Sequence, residues 1–443
     1  MSDSRVTNTR RPVGEPIFEE LGLVHDAANP FHATLARLLQ AAELVGLPHH
    51  QRIILAQPAS EIMVHFPVLM DDGRHRLFKG YRIQHNHALG PFLGGVRFHP
   101  RITLDETKAL AALGTLSASL ARVGFGGAMG GVRCSPTELS EAELMRVARR
   151  FTVAIGHHLG PDQDVVTTDL GTDARVMAWM ADTLQQVAPT HGKLDAMRAV
   201  TGKPIEIGGS YGRAVAVGHG LAEAAVEMLP ELSMPAEGTS VAIAGFGTVG
   251  AWAARRLHEY GLRVVSVLDA TAGVADPAGL DPFRLAEHVA RSGGVERFPR
   301  GAAITAAEFW AMPVDLLVLA AGDGQVDEPL ARTLGARVVL EGSQLPITAA
   351  ADEVLAARGI DVLPSILCRA GGTIVSSFEW IQNRVAATWT GEQVDEELRR
   401  SMQLAARRVK LARIRYECDW RTAAACAALA RIGRVYDLRG VFP

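Results

Sequence analysis

The chain has 443 residues, 48% hydrophobic and 21% charged, with a formal net charge of -3. That balance fits packed cores and excludes a solvated disordered chain, and the length calls for two or three domains. No lopsided charge marks a nucleic-acid binder, and no run reaches the roughly eighteen apolar residues of a membrane span.

The opening MSDSRVTNTRRPVG has no apolar h-region, so no secretory signal is expected and the segment reads as a frayed tail. From Pro30 to Val45 apolar residues recur at three-and-four spacing, the mark of an amphipathic helix. ASEIMVHFPVLMDDG then alternates and ends on Asp72-Gly73, and with RLFKGYRIQHNH it predicts a strand, a tight turn and a second strand. LDETKALAALGTLSASLARV returns to helical spacing and runs into GFGGAMGG, read as an exposed or closely packed loop. SEAELMRVARRFTVAIGHHLG opens with the Ser and Glu of a capping box and stops at Gly160-Pro161. After TGKPIEIGGSYGR, a helix from about Ala214 to Met228 leads into SVAIAGFGTVGAWAARRLHEYGLRVVSVLDA, which reads as strand, glycine turn, helix and strand. Further apolar strands at DLLVLAA, ARVVLEG and GIDVLPS continue the alternation of a parallel, doubly wound α/β sheet.

Metal chemistry finds little support. His85, His87, His99, His157 and His158 show no ligand spacing, and Cys134, Cys368, Cys418 and Cys426 stand singly, as in a reduced cytosolic protein. The glycine turn is more informative. Gly245, Phe246, Gly247, Thr248, Val249 and Gly250 match G-x-G-x-x-G between a strand and a helix, where backbone amides can receive a pyrophosphate. Asp269, about twenty residues on, suits a ribose hydroxyl and favours NAD over NADP, whereas Arg255 or Arg256 facing a 2′-phosphate would favour NADP. The bland alternative is a glycine turn needed only for helix–sheet packing.

The segments FKGYRIQHNHALGPFLGGVRFHP, GFGGAMGG, DVVTTDLGT, TGKPIEIGGSYGR, GFGTVG and AGGTIVSSFEWIQN, taken in this order, resemble the Glu/Leu/Phe/Val dehydrogenase family from Val64 to Asn383. The resemblance implies an α/β substrate-binding and oligomerisation domain over 1–205 and a Rossmann NAD(P)-binding domain over 206–414, with a cleft between them. Helices of 415–443 would pack back on the first domain. It also implies a hexamer, an amino acid as ligand and NAD or NADP as cofactor.

The family's reaction is oxidative deamination, in which one lysine activates water and an aspartate shuttles protons. Carried over by motif, the aspartate is Asp169 and the lysine position is Met129. A second lysine, gripping the α-carboxylate, is Ser117, and a third, gripping a side-chain carboxylate, is Leu93, next to Gly94 and Gly95. Ser376 keeps the serine that lines the substrate side chain. Arg213, Ala320 and Ala321 fall in cofactor-binding motifs, while Val217, Gly324, Gln344 and Arg369 stand where Thr or Asn is expected.

Without its lysine partner, Asp169 is expected to have a raised pKa. As a mere cap or turn residue it would need no pocket role. Met129 would fill a core or pocket gap, and Arg97 reads as structural. Arg369 has two readings, a surface arginine or a replacement anion clamp. Three functions follow: a non-catalytic subunit that regulates a lysine-complete paralogue, an atypical amino-acid dehydrogenase, or an ordinary glutamate dehydrogenase.

Overall fold

The computed structural model describes residues 14–187 and 197–441. The first thirteen residues of the N-terminal segment and the last two of the C-terminal one lie outside them. The first helix of the chain's core, Pro30–Leu44, begins at Asn29, whose side chain accepts from the amides of Phe31 and His32. Strands β1 (Ser60–Leu69) and β2 (His75–Asn86) form the expected antiparallel hairpin, turned at Gly73 with φ +81°. With β3 (Phe92–Phe98), β4 (Gly126–Val132) and β5 (Asp164–Thr168) they make a mixed sheet in the order β1-β2-β4-β3-β5.

Strand β4 corrects the loop reading of GFGGAMGG. Every residue of it is buried, and it pairs antiparallel with β2 and parallel with β3. Its glycines are dictated by close backbone approach, for a Cβ at Gly127 would lie 2.1 Å from the Thr115 amide nitrogen. The helix Leu104–Ala121 therefore rests directly on the strand. Such a segment has too few apolar side chains to show a strand period. The capping-box helix is Glu141–Ile155, with both reciprocal bonds of Ser140 and Glu143 formed. It ends earlier than Gly160-Pro161, in a 3-10 turn at Gly156–His158.

The second sheet holds β6 (Ser240–Ala244), β7 (Arg263–Leu268), β8 (Gly273–Ala275), β9 (Ala302–Ile304), β10 (Val314–Leu319), β11 (Ala336–Glu341) and β12 (Asp361–Leu363). Its order is β12-β11-β10-β6-β7-β8-β9, parallel from β12 to β7, with β8 and β9 added antiparallel. The chain runs outward from β6 to β7 and returns to β10 on the other side, so the topological switch lies between β6 and β10. The long helix Gly391–Tyr416 packs on Ala216–Met228, and the last helix, Trp420–Arg439, lies along Pro30–Leu44 and Leu104–Ala121. No helix among the described residues is long and apolar enough to cross a membrane.

Candidate functional site

The two units face each other across a cleft whose floor is polar. Lys203 and Glu379 are both fully buried and pair at 2.7 Å, and Glu379 also accepts from the Gly202 amide, which ties the TGKP loop to the helix Ala370–Val385. Arg213 follows in the chain. Its Nε donates to Ser376 Oγ at 3.1 Å and its Nη2 to Thr167 and Thr168 Oγ1 at 2.9 and 3.0 Å. Arg213, grouped by motif with the cofactor residues, thus bridges β5 to Ser376 on the other unit. Burial lowers its pKa and the nearby Arg369 adds to the fall, with Glu379 opposing both.

A second cluster surrounds Asp169. Arg97 Nε donates to Asp169 Oδ1 at 2.7 Å, while Arg97 Nη1 reaches Glu106 at 2.7 Å and Asp323 at 2.6 Å. Gln344 Nε2 donates to Asp169 Oδ2 at 2.7 Å, and Arg369 Nη2 stands 3.8 Å from the same oxygen. Arg97 is therefore the hub of the cleft and not a bystander, and Gln344 turns to Asp169, not to a cofactor strand end. The surface reading of Arg369 also falls: its Nη1 donates to Gly342 O at 2.7 Å and its head points into the cleft.

The expected rise in the pKa of Asp169 is reversed. Burial does push it up, but the guanidiniums of Arg97 and then Arg369 outweigh burial and hold it below the ordinary carboxylate range. Burial likewise tends to lower the pKa of Arg97, and the Asp169 and Asp323 carboxylates reverse this and raise it. Sequence reasoning missed Asp323 and Glu106, whose positions carry no motif signal. Arg97 was visible in GGVRFHP, and only its partners were not.

The three positions without lysine are apolar or plain. Met129 is 2% exposed and packs with Ile83, Leu110 and Ala111, and Leu345 from the other unit closes over this patch. Leu93 lies among Ala118, Phe125 and Val165, with Trp380 beside them. Ser117, on the helix Leu104–Ala121, is buried and its hydroxyl makes no hydrogen bond with any described residue. Gly94 serves backbone packing, since a Cβ there would lie 1.7 Å from Ala128 O, whereas Gly95 makes room for Asp169, whose Cβ a side chain there would meet at 2.7 Å.

The glycine turn sits at the switch point. Gly245 has φ +100°, and a Cβ there would meet the Ala321 amide nitrogen at 2.4 Å; at Gly250 one would meet Gly245 O at 1.9 Å. Gly247 and Thr248 are exposed at the start of the helix Thr248–Glu259, nothing stands within 4 Å of a Cβ at Gly247, and no side chain caps the helix. Free amides facing open space fit a pyrophosphate. Phe246 is buried and Val249 half-buried, so both serve packing. Asp269 Oδ1 accepts from Thr271 and Ala272, while Oδ2 accepts only the Val295 amide, which leaves it room for a hydroxyl.

Of the two arginines considered for a 2′-phosphate, one is engaged by carboxylates and the other is stacked on a ring. Arg256 is held by Glu223 and Asp395, both at 2.9 Å, and Arg255 lies over the Trp252 ring. Val217 packs beside Gly372, Ala320 donates its amide to Ala244 O, and Gly324 has φ +67° in an open turn.

Comparison with known proteins agrees with this architecture. The family description Glu/Leu/Phe/Val dehydrogenase, dimerisation domain, matches residues 58–186, and Glutamate/Leucine/Phenylalanine/Valine dehydrogenase matches 208–440. A glutamate dehydrogenase of Thermotoga maritima is 40% identical over 406 residues, 91% of this chain and 96% of the relative. Glutamate dehydrogenase B of Halobacterium salinarum is 38% identical over 93% of this chain and 95% of its own length. The structure of a hetero-hexameric glutamate dehydrogenase from Thermus thermophilus, in a Leu bound form, superposes with a TM-score of 0.87 at 33% identity, covering 94% of this chain and 99% of that one. With two domains matched in order and the polar cleft between them, the chain belongs to the Glu/Leu/Phe/Val dehydrogenase family.

Proposed function

We propose that this chain is a catalytically impaired or non-catalytic family member that binds an amino acid, a dinucleotide or both and modulates a lysine-complete glutamate dehydrogenase in a mixed hexamer. One observation carries the reading: Met129, in the place the family motif gives to the acid/base lysine, is buried in hydrocarbon and can neither donate nor accept a proton. Asp169 supports it, because a carboxylate held ionised by Arg97 and Arg369 is a poor proton donor. Leu93 and its aromatic neighbours suit an apolar amino acid, since a ligand carboxylate there would be desolvated and unpaired. Arg213 and Arg369 are the guanidiniums placed to receive an α-carboxylate. The leucine held by the hetero-hexameric Thermus relative makes leucine the first ligand to try.

NAD or NADP would be held by the amides from Gly245 to Gly250, with Asp269 Oδ2 at a ribose hydroxyl; bound, it supplies a hydride acceptor. That intact cradle is also what favours the second reading, an atypical dehydrogenase of an apolar amino acid.

The test is glutamate oxidation by the purified chain with NAD and with NADP, alone and mixed with a lysine-complete paralogue. Each missing acid/base or electrostatic group is worth about 10²–10⁴ in rate, so the chain alone should be nearly inactive and should alter the paralogue's turnover. Turnover of glutamate by the chain alone at about 1–10³ per second would overturn the proposal, and turnover of leucine alone would establish the second reading.

A further inference from the structure

The contacts that shut the cleft come from the chain's own side chains, and ion pairs lead among them. On the first unit, Asp169 and Glu106 flank Arg97; on the second, Asp323 and Arg369 face them, and Lys203 pairs with Glu379 across the floor of the cleft. Arg97 is only 5% exposed, so its 2.6 Å contact with Asp323 across the cleft is little screened by solvent or salt.

The turn following β11 adds two contacts across the cleft and braces Asp323 from its own side. Gln344 donates to Asp169, the Leu345 amide donates to Asp323 Oδ1 at 2.8 Å, and the Leu345 side chain packs over the Met129 patch. One short segment thus joins a charge pair, a hydrogen bond and an apolar contact.

We infer that Asp323 and the segment 343–345 form a latch that holds the two domains closed on Arg97 and Asp169, so that a ligand of the cleft must compete with the protein's own side chains to enter. Both Asp169 oxygens already accept a hydrogen bond, and Arg97 is shared among three carboxylates. An amino acid whose ammonium group approaches Asp169 therefore competes with Gln344 for it, and one whose carboxylate takes Arg369 loosens that arginine from Asp169. Domain position becomes a readout of ligand, because the open and closed states differ in these contacts and a ligand bound in place of the latch favours one of them. The latch does not depend on the proposed regulatory role: it would act equally in an enzyme with slow turnover.

Hydrogen exchange on the full-length oligomer, with small-angle scattering on the same samples, tests it. Asp323→Arg sets two guanidiniums against each other across the cleft. It should raise exchange at least tenfold in peptides covering 169–173 and 341–347, equal to about 1.4 kcal/mol of closure, and enlarge the scattering radius. Peptides covering 240–268, inside the second sheet, should not change. Gln344→Leu, which removes only the bond to Asp169, should give the same pattern more weakly and serves if Asp323→Arg does not fold. Unchanged exchange and radius in a folded Asp323→Arg, or in Gln344→Leu if that is the only folded variant, would overturn the latch. A uniform rise in every peptide would do so as well, since it reports general destabilisation.

Discussion

Met129→Lys puts the missing amine back where the family motif places it, and the structure sets what that should do. Met129 is 2% exposed between Ile83, Leu110 and Ala111 under Leu345. A lysine enclosed by hydrocarbon titrates well below its ordinary range; taking a fall of about 3 from an unfolded value near 10.4, the folded state loses about 4 kcal/mol at pH 7 relative to the parent and only about 1 kcal/mol at pH 9.5. The sign follows from proton counts. Between about pH 7.4 and 10.4 the unfolded chain keeps the proton while the folded chain has largely lost it, so stability rises with pH through this window. Met129→Leu, a volume-conserving control, should cost less than about 1.5 kcal/mol at both values. Urea unfolding of the three proteins at fixed protomer concentration, with glutamate oxidation assayed in parallel, gives the comparison. We expect the pH-dependent loss and no recovery of activity, because Ser117 and the altered nicotinamide-side positions still leave a substrate misplaced. A Met129→Lys protein as stable as its parent at pH 7 would refute the reasoning, for it would mean that Asp169 or another anion already faces that side chain.

Other expectations bear on stability and on the dinucleotide. Arg82 and Asp164 are both fully buried and paired, so Arg82→Met should cost about 3–5 kcal/mol in urea unfolding by stranding the carboxylate, with only Gln84 left to donate to it. His85 is buried and its pKa is lowered from 6.5 to about 4 by burial, so its contribution is present above pH 6.5 and is lost as pH falls from 6.5 to 4. About 3 kcal/mol should disappear over that range, and His85→Phe should flatten it in a pH series of unfolding midpoints. Asp169, with its lowered pKa, contributes above the ordinary carboxylate range and is lost below it, so Asp169→Asn should lessen the acid sensitivity at lower pH still. Gly247→Ala should leave the melting temperature unchanged, since its Cβ meets nothing, yet weaken NAD binding in calorimetry by about tenfold to a hundredfold as the added methyl blocks the close approach of the phosphate to the backbone.

What the sequence determined by itself was mostly local. The helix beginning at Pro30, the hairpin turned at Gly73, the capping box at Ser140 and the strand–turn–helix around Gly245 each depend on residues a few positions apart, and their periods and caps are legible in one dimension. The replacement of lysine at Met129, Ser117 and Leu93 was equally plain, because it is a matter of residue identity at a motif position. The tertiary structure decided the rest. GFGGAMGG became the buried strand β4 because its glycines answer to the helix Leu104–Ala121 and to strand β3, neither of which the segment itself contains. The protonation of Asp169 turned on a contest between burial and charge, and the arginine that wins it lies 72 residues away in the chain, with a third carboxylate 226 residues from that arginine. Gln344 and Arg369, which the motifs assign to a cofactor or a surface, reach the same carboxylate only once two sheets face each other. A period along the chain records which side of an element is buried, but the electrostatics of a cleft depend on separations between groups that folding alone brings within a few ångströms.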